Sequence, residues 1–140
     1  MNKKIISIII LLVVGSFAWW YHSVDYGTDL PPGLPSAVPV IDGKIVASRE
    51  AIFEDGKGYI IEIETPRKFN EVIGYYKAAF AKTGTAVTFS PMFSGTGLVQ
   101  EQMMAGEAFQ GENLILLEVL SKGDSTYINT AVHMRKWFLP

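Results

Sequence analysis

Side chains able to do chemistry are few in this 140-residue sequence, and they are scattered along it. His133 is the one histidine in the part that reads as a folded domain, since His22 directly follows the N-terminal apolar run. With Glu118 or another strand carboxylate, His133 could in principle bind a metal ion, although structural zinc normally takes four ligands. We therefore predict no metal ligands and interpret His133 as a surface residue of the last strand.

A second candidate is the pair Glu62 and Glu64, two residues apart on a predicted strand and so on the same face. Paired carboxylates can do acid–base work when burial separates their pKa values. Ile60 shares their face, and such alternation is typical of a solvated outer surface. We predict no catalytic residue here and a protein that is not an enzyme.

The overall composition excludes several other classes of site. Cysteine is absent, which excludes disulfides, thiolate metal sites and a cysteine nucleophile. A net charge of −2 and the lack of a basic stripe argue against nucleic-acid binding. The glycine-rich run from Ser94 to Gly97 lacks the lysine of a phosphate-binding loop. We expect no cofactor.

The stretch from Thr65 to Gly84 is the element around which the rest is organised. Its apolar residues recur at three- and four-residue steps and predict one buried helix face: Phe69, Val72, Ile73, Tyr76, Ala79 and Phe80. Thr65 is the predicted N-cap, Pro66 the first helical residue and Gly84 a left-handed C-cap. Tyr76 should point inward and Tyr75 outward.

Alternating segments on both sides of the helix predict strands. These segments run from Lys44 to Glu54, Tyr59 to Glu64, Thr85 to Ser90, Asn113 to Ser121 and Thr126 to Phe138, with a hairpin turn at 55–58. Leu98 to Gln110 is read as a strand, with a second helix as the alternative. The predicted order is β-β-α-β-β-β-β, an α+β two-layer sandwich in which one helix crosses a mostly antiparallel sheet.

The N-terminus predicts export. Residues 1–4 form a lysine-bearing tip and residues 5–21 an apolar run at the short end of the about 17–25 residues that span a bilayer. We favour an uncleaved transmembrane signal-anchor, since cleavage after Ala18 would leave two tryptophans at the new N-terminus. The lysines then stay in the cytoplasm of a bacterial cell, and the domain lies in the periplasm. Cleavage at Ala18 and release into the periplasm is the alternative.

Between the apolar run and the domain lies a proline-rich stretch. Residues 22–39 carry four prolines and predict an extended, semi-rigid linker. The periplasmic α+β domain should then occupy residues 40–140.

Two parts of this chain resemble small exported bacterial domains of unknown function. They are the proline-led PVIDGKIVAS at residues 39–48 and the Thr-Pro-led helix that carries VIGYYKAAFAKTG at residues 72–84. The likeness covers about residues 38–134, although those domains often continue with Gly-Trp where this chain has Gly84 and Thr85. The resemblance implies the fold and no activity.

The predicted function is therefore that of a membrane-tethered, non-catalytic interaction or assembly module in a cell-envelope complex. The residues expected to contact its unidentified partner are apolar or aromatic: Tyr75, Met92, Phe93, Trp137 and Phe138. The alternative is a cleaved, soluble periplasmic protein that binds a small ligand between helix and sheet.

Overall fold

The computed structural model describes residues 24–54, 56–92 and 102–134. They form six strands and one helix: β1 (Lys44–Phe53), β2 (Gly56–Thr65), α1 (Phe69–Lys82), β3 (Val87–Pro91), β4 (Met103–Gln110), β5 (Asn113–Lys122) and β6 (Ser125–Met134). The predicted element order and the α+β class are confirmed. The predicted transmembrane segment lies outside the described residues.

All six strands belong to one antiparallel sheet in the order β1-β2-β6-β5-β4-β3. Helix α1 follows β2 and carries the chain to β3 at the opposite edge. The last strand, β6, then inserts between β2 and β5. The chain therefore returns to the middle of the sheet, and the two halves of the sheet are joined by its final strand.

The predicted faces of β2 are confirmed. Ile61 and Ile63 of β2 are buried opposite Thr130 and Ile128 of β6, whereas Glu62 lies on the other face. The hairpin turn is shorter than the predicted 55–58, because Gly56 already pairs with Phe53 and residues 56–58 belong to β2. A two-residue loop is the shortest common connection of a hairpin, and the glycines after it remain free to join β2.

Helix α1 covers one face of the sheet through the predicted stripe, of which Phe69, Val72, Ile73, Tyr76 and Phe80 are buried. Its predicted beginning is wrong. Thr65 is still paired with Thr126 as the last residue of β2, and Pro66 and Arg67 form a bend.

The N-cap of α1 is Lys68, whose N–H donates to the Glu71 carboxylate at 3.3 Å. Because Thr65 is paired within the sheet, the helix begins three residues later than predicted. The predicted C-terminal end is confirmed: Gly84 has φ +70°, and Thr85 N–H bonds back to the Phe80 carbonyl at 3.0 Å.

Residues 103–110 form strand β4, so the helix alternative is wrong for this part of the stretch; residues 98–101 lie outside the described range. β4 is paired on both sides, with β3 and β5, and such pairing outweighs the helix propensity of its residues. Gly106 also leaves room for the Phe89 ring, which a β-carbon there would meet at 2.6 Å.

The proline-rich stretch differs from the extended linker that the sequence predicts. Its described part, from residue 24, passes through three turns and packs against the domain. Val38 is buried, and Tyr26 and Leu34 lie against the core. The apolar residues between the prolines can be buried because each turn brings one of them back to the domain. The domain boundary at residue 40 stays a prediction.

The buried hydroxyl of Tyr76, at the centre of the core, should make the domain less stable at alkaline pH. Tyr76 is fully buried, and this burial raises the pKa of its hydroxyl above the ordinary 10.0. The unfolded chain therefore loses this proton first, so the stabilising contribution is complete below pH 10 and is lost as the pH rises further. We expect the free energy of unfolding to fall by up to about 1.4 kcal/mol per pH unit from this group.

Urea titrations between pH 8 and pH 11 measure this fall. Tyr76→Phe should keep the stability at pH 8 within about 1 kcal/mol and flatten the dependence above pH 10. Equal slopes in the two proteins would contradict the assignment to Tyr76.

Candidate partner-binding surface

The sheet face opposite α1, called the open face below, is covered by none of the helices and strands in the described residues. Strand pairing places on this face the side chains that alternate with the core residues. Many of these side chains are large and apolar or aromatic: Ile60, Met103, Leu114, Leu116, Leu120 and Tyr127. All six are half-buried by their neighbours on the sheet. Phe109, further towards the β3 edge, is 52% exposed.

Three polar side chains interrupt this apolar surface in one row across the central strands. Asn129 of β6 is paired with Glu62 of β2 on one side and with Glu118 of β5 on the other. Adjacent strands are about 5 Å apart, so the two carboxylates flank the amide closely. The Asn129 side-chain oxygen is buried and accepts no hydrogen bond from the described residues. The row therefore presents acceptor oxygens and two carboxylates, of which Glu62 shares a groove with Arg49 of β1.

A cavity of about 240 Å³ adjoins this row. Its apolar walls include Val46, Met103 and Leu120. Val46 is 45% exposed, and it lies where the pairing of β1 with β2 shifts register between Ile45 and Ala47. This β-bulge turns an extra apolar side chain towards the cavity.

Tyr127 also lines the cavity, next to Glu64 of β2. Desolvation and the Glu64 carboxylate, to which the phenol hydroxyl is hydrogen-bonded, raise the pKa of Tyr127.

His133 lies at the other end of the open face. Its ring stacks on Phe53 with 3.6 Å between ring centroids and 16° between ring planes. The two rings meet above Gly58, which pairs with both strands and has no side chain to separate them. This stacking is a packing role for His133. In the described residues, no group of three or more His, Asp or Glu side chains is placed to hold a metal ion.

The predicted contact residues are not gathered at one site. Met92 is 39% exposed beside β3, and its N–H donates to the Met103 carbonyl. Tyr75 lies on the helix side of the sheet, where it is half-buried and its hydroxyl donates to the Val40 carbonyl at 3.0 Å. Phe93, Trp137 and Phe138, like the glycine-rich run 94–97, lie outside the described residues.

Sequence reasoning predicted a solvated outer face at Glu62 but did not identify the open face as a candidate binding surface. The signal was present in β5, where Leu114, Leu116 and Leu120 share a face with Glu118. A strand that is apolar on both faces is typical of a strand covered on both faces.

The fold and this surface define a class: an α+β domain whose antiparallel sheet carries one helix on one face and an open, partly apolar second face. No protein-family model matches the chain. A comparison with curated proteins likewise finds no match. In the part of the chain that the structure describes, no helix is both long and apolar enough to cross a bilayer.

Proposed function

We propose that this protein is a membrane-tethered, exported interaction module without catalytic activity. Its open face binds an apolar segment that carries a lysine or arginine, supplied by a neighbouring protein of the cell envelope. The observation that carries the proposal is the open face itself, with large apolar side chains around a row of acceptor oxygens. The tether is the apolar run 5–21, preceded by Lys3 and Lys4.

Charge complementarity supports a basic partner. Glu62 and Glu118 flank an Asn129 oxygen that receives no hydrogen bond from the described residues. A lysine ammonium has three donors and an arginine guanidinium has five, so either can serve several of these acceptors at once. Apolar neighbours of that cation would cover Leu116 and Leu120.

The same charges disfavour a second copy of this chain as the occupant. A symmetric dimer joins identical patches, so the open faces of two copies would bring four central carboxylates together. Like charges placed opposite one another in an interface cost several kcal/mol.

A small ligand is the weaker candidate. The cavity on the open face holds about 240 Å³, whereas small-molecule sites usually measure about 300–1,000 Å³. The layer between helix and sheet, where the sequence suggested a ligand, is occupied by the fully buried rings of Tyr76 and Phe80.

Site-specific photocrosslinking of the full-length chain in its host membrane tests the proposal. A photoreactive residue at Leu116, on the open face, should form a discrete adduct with one envelope protein, and one at Lys77, on the exposed side of α1, should not. The linked peptide should combine apolar residues with Lys or Arg. Adding Glu62→Lys and Glu118→Lys should reduce the adduct by about tenfold or more, because the row would then repel a cation.

Asp124→Lys is the matched control. It reverses one carboxylate in the exposed β5–β6 turn, away from the row, in the same way as each of the two substitutions in the row, and should leave the adduct intact. If the yield of adduct is the same with and without Glu62→Lys and Glu118→Lys, the two carboxylates do not attract a basic partner. A failure to crosslink from Leu116 would contradict the open face as the binding surface.

A further inference from the structure

The chain enters the domain along the edge of the sheet. Residues 24–26 run antiparallel to β1 and form an isolated bridge between Asp25 and Arg49. Tyr26 N–H donates to the Ser48 carbonyl at 2.8 Å, and the Val24 carbonyl accepts from Glu50 N–H at 2.7 Å. The Tyr26 ring also packs edge-on against the Tyr59 ring, with 6.3 Å between centroids. Val24 is therefore fixed to β1.

The apolar run of the sequence ends at Tyr21, and two residues, His22 and Ser23, separate it from Val24. Three Cα-to-Cα steps of an extended chain span at most about 11 Å. A run that is anchored in the bilayer thus holds the β1 edge within about 11 Å of the membrane interface. The four prolines, at residues 31–39, come after this attachment and cannot lengthen the tether.

We infer that the bilayer surface is the docking partner of the β1 edge, and that the sheet stands upright on the membrane with β1 next to the lipid and β3 furthest from it. This inference rests on the anchor in the proposed function. Five strand spacings of about 4.8 Å place β3 about 24 Å further out.

The carboxylates of the open face favour the upright orientation over one that lies flat on that face. Val24, at 49%, and Val46, at 45%, are the exposed apolar side chains that can meet lipid at the β1 edge, whereas Met92 and Phe109 are exposed at the β3 side. Lying flat on the open face would press Glu62 and Glu118 against the lipid, which desolvates two carboxylates at high cost. The edge can approach the interface while both carboxylates stay in water.

An upright sheet also narrows the class of partner. The open face then rises about 24 Å from β1 to β3. The row of Glu62, Asn129 and Glu118 lies on the three strands after β1, in the half of the sheet nearer the bilayer. The occupant that fits is a juxtamembrane segment of a neighbouring membrane protein. Lysine and arginine are common where such a segment meets lipid headgroups.

The absence of cysteine allows a direct test with single labels. Full-length Val46→Cys, Thr88→Cys and Lys77→Cys proteins are labelled with a small fluorophore and reconstituted in vesicles whose phosphatidylcholine carries a spin-label quencher in the headgroup. These positions are exposed and report on the β1 edge, the β3 edge and the outer side of α1. We expect strong loss of emission at residue 46 and little at residues 88 and 77.

A ten-residue Gly/Ser insertion between residues 22 and 23 should restore emission at residue 46, because such a linker averages about 18 Å from end to end. Equal quenching at residues 46 and 88 would overturn the upright orientation. Persistent quenching after the insertion would overturn the tether as its cause.

Failure of the proposed function gives a different result. The host-membrane protein would then have a mass beginning at Trp19, or the labelled protein would not float with the vesicles. Either finding removes the anchor and the inference with it. A full-length, vesicle-bound protein with no quenching at residue 46 overturns the inference alone.

Discussion

Replacing Phe80 with alanine is expected to lower the free energy of unfolding by about 3–5 kcal/mol. Phe80 is fully buried in the last turn of α1, with its ring centroid 6.4 Å from that of Tyr76. Five buried residues hold α1 against the sheet, and Phe80 is the one nearest the C-terminal end of the helix. The closely packed core cannot collapse fully into the space that the ring leaves, so the cost of a cavity adds to the lost transfer free energy of the ring.

Urea unfolding of the full-length chain in one detergent, followed by far-UV circular dichroism, measures the loss. Lys77→Ala on the exposed side of the same helix is the control, and its effect should stay within about 0.5 kcal/mol. A Phe80→Ala protein as stable as the Lys77→Ala protein would show that α1 is not packed as described.

Replacing Gly58 with alanine should destabilise the domain by about 3 kcal/mol, at the upper end for an overpacked site. A β-carbon on Gly58 would lie 1.7 Å from the Val132 carbonyl oxygen and 2.7 Å from the Phe53 ring. The backbone contact cannot be relieved by turning a side chain, so β2 and β6 must move apart. The stack of Phe53 on His133 should be lost as well.

Gly74→Ala is the matched control, since it adds the same methyl group where nothing lies within 4 Å. Gly74 is exposed in the middle of α1, and alanine there should stabilise the helix by about 1 kcal/mol. Opposite signs for the two substitutions, measured by urea unfolding under one condition, are the expected result. A neutral Gly58→Ala would contradict the close approach of the strands.

The Gly58 experiment also bears on the open face. If Gly58→Ala preserves crosslinking from Leu116 at temperatures where the protein stays folded, the partner does not need the Phe53–His133 end. This would place its contacts around the row of Glu62, Asn129 and Glu118, where the proposal puts them.

The sequence by itself determined the local features. A period of two fixes which residues of a strand share a face, so the buried sets of β2 and β6 could be predicted without knowing their partners. A period near 3.6 likewise fixes the stripe of α1. Gly84 could be predicted as the C-cap because a left-handed residue after a helix is most easily glycine.

Only the tertiary structure decided which strands are neighbours. Insertion of β6 between β2 and β5 puts Asn129 between Glu62 and Glu118, and no local pattern in any one strand encodes that meeting. The start of α1 was decided in the same way, because pairing of Thr65 with Thr126 is a long-range contact that overrides a local capping signal.

The segment that leads into the domain shows most clearly that tertiary contacts override local preference. Prolines predict an extended linker from local preference alone, yet residues 24–26 pair with β1 and the turns after them return apolar side chains to the core. Local periodicity and turn chemistry depend on neighbours in sequence and can be read from it. Strand order, the open face and the length of the tether depend on contacts between distant residues, which form only when the chain is folded.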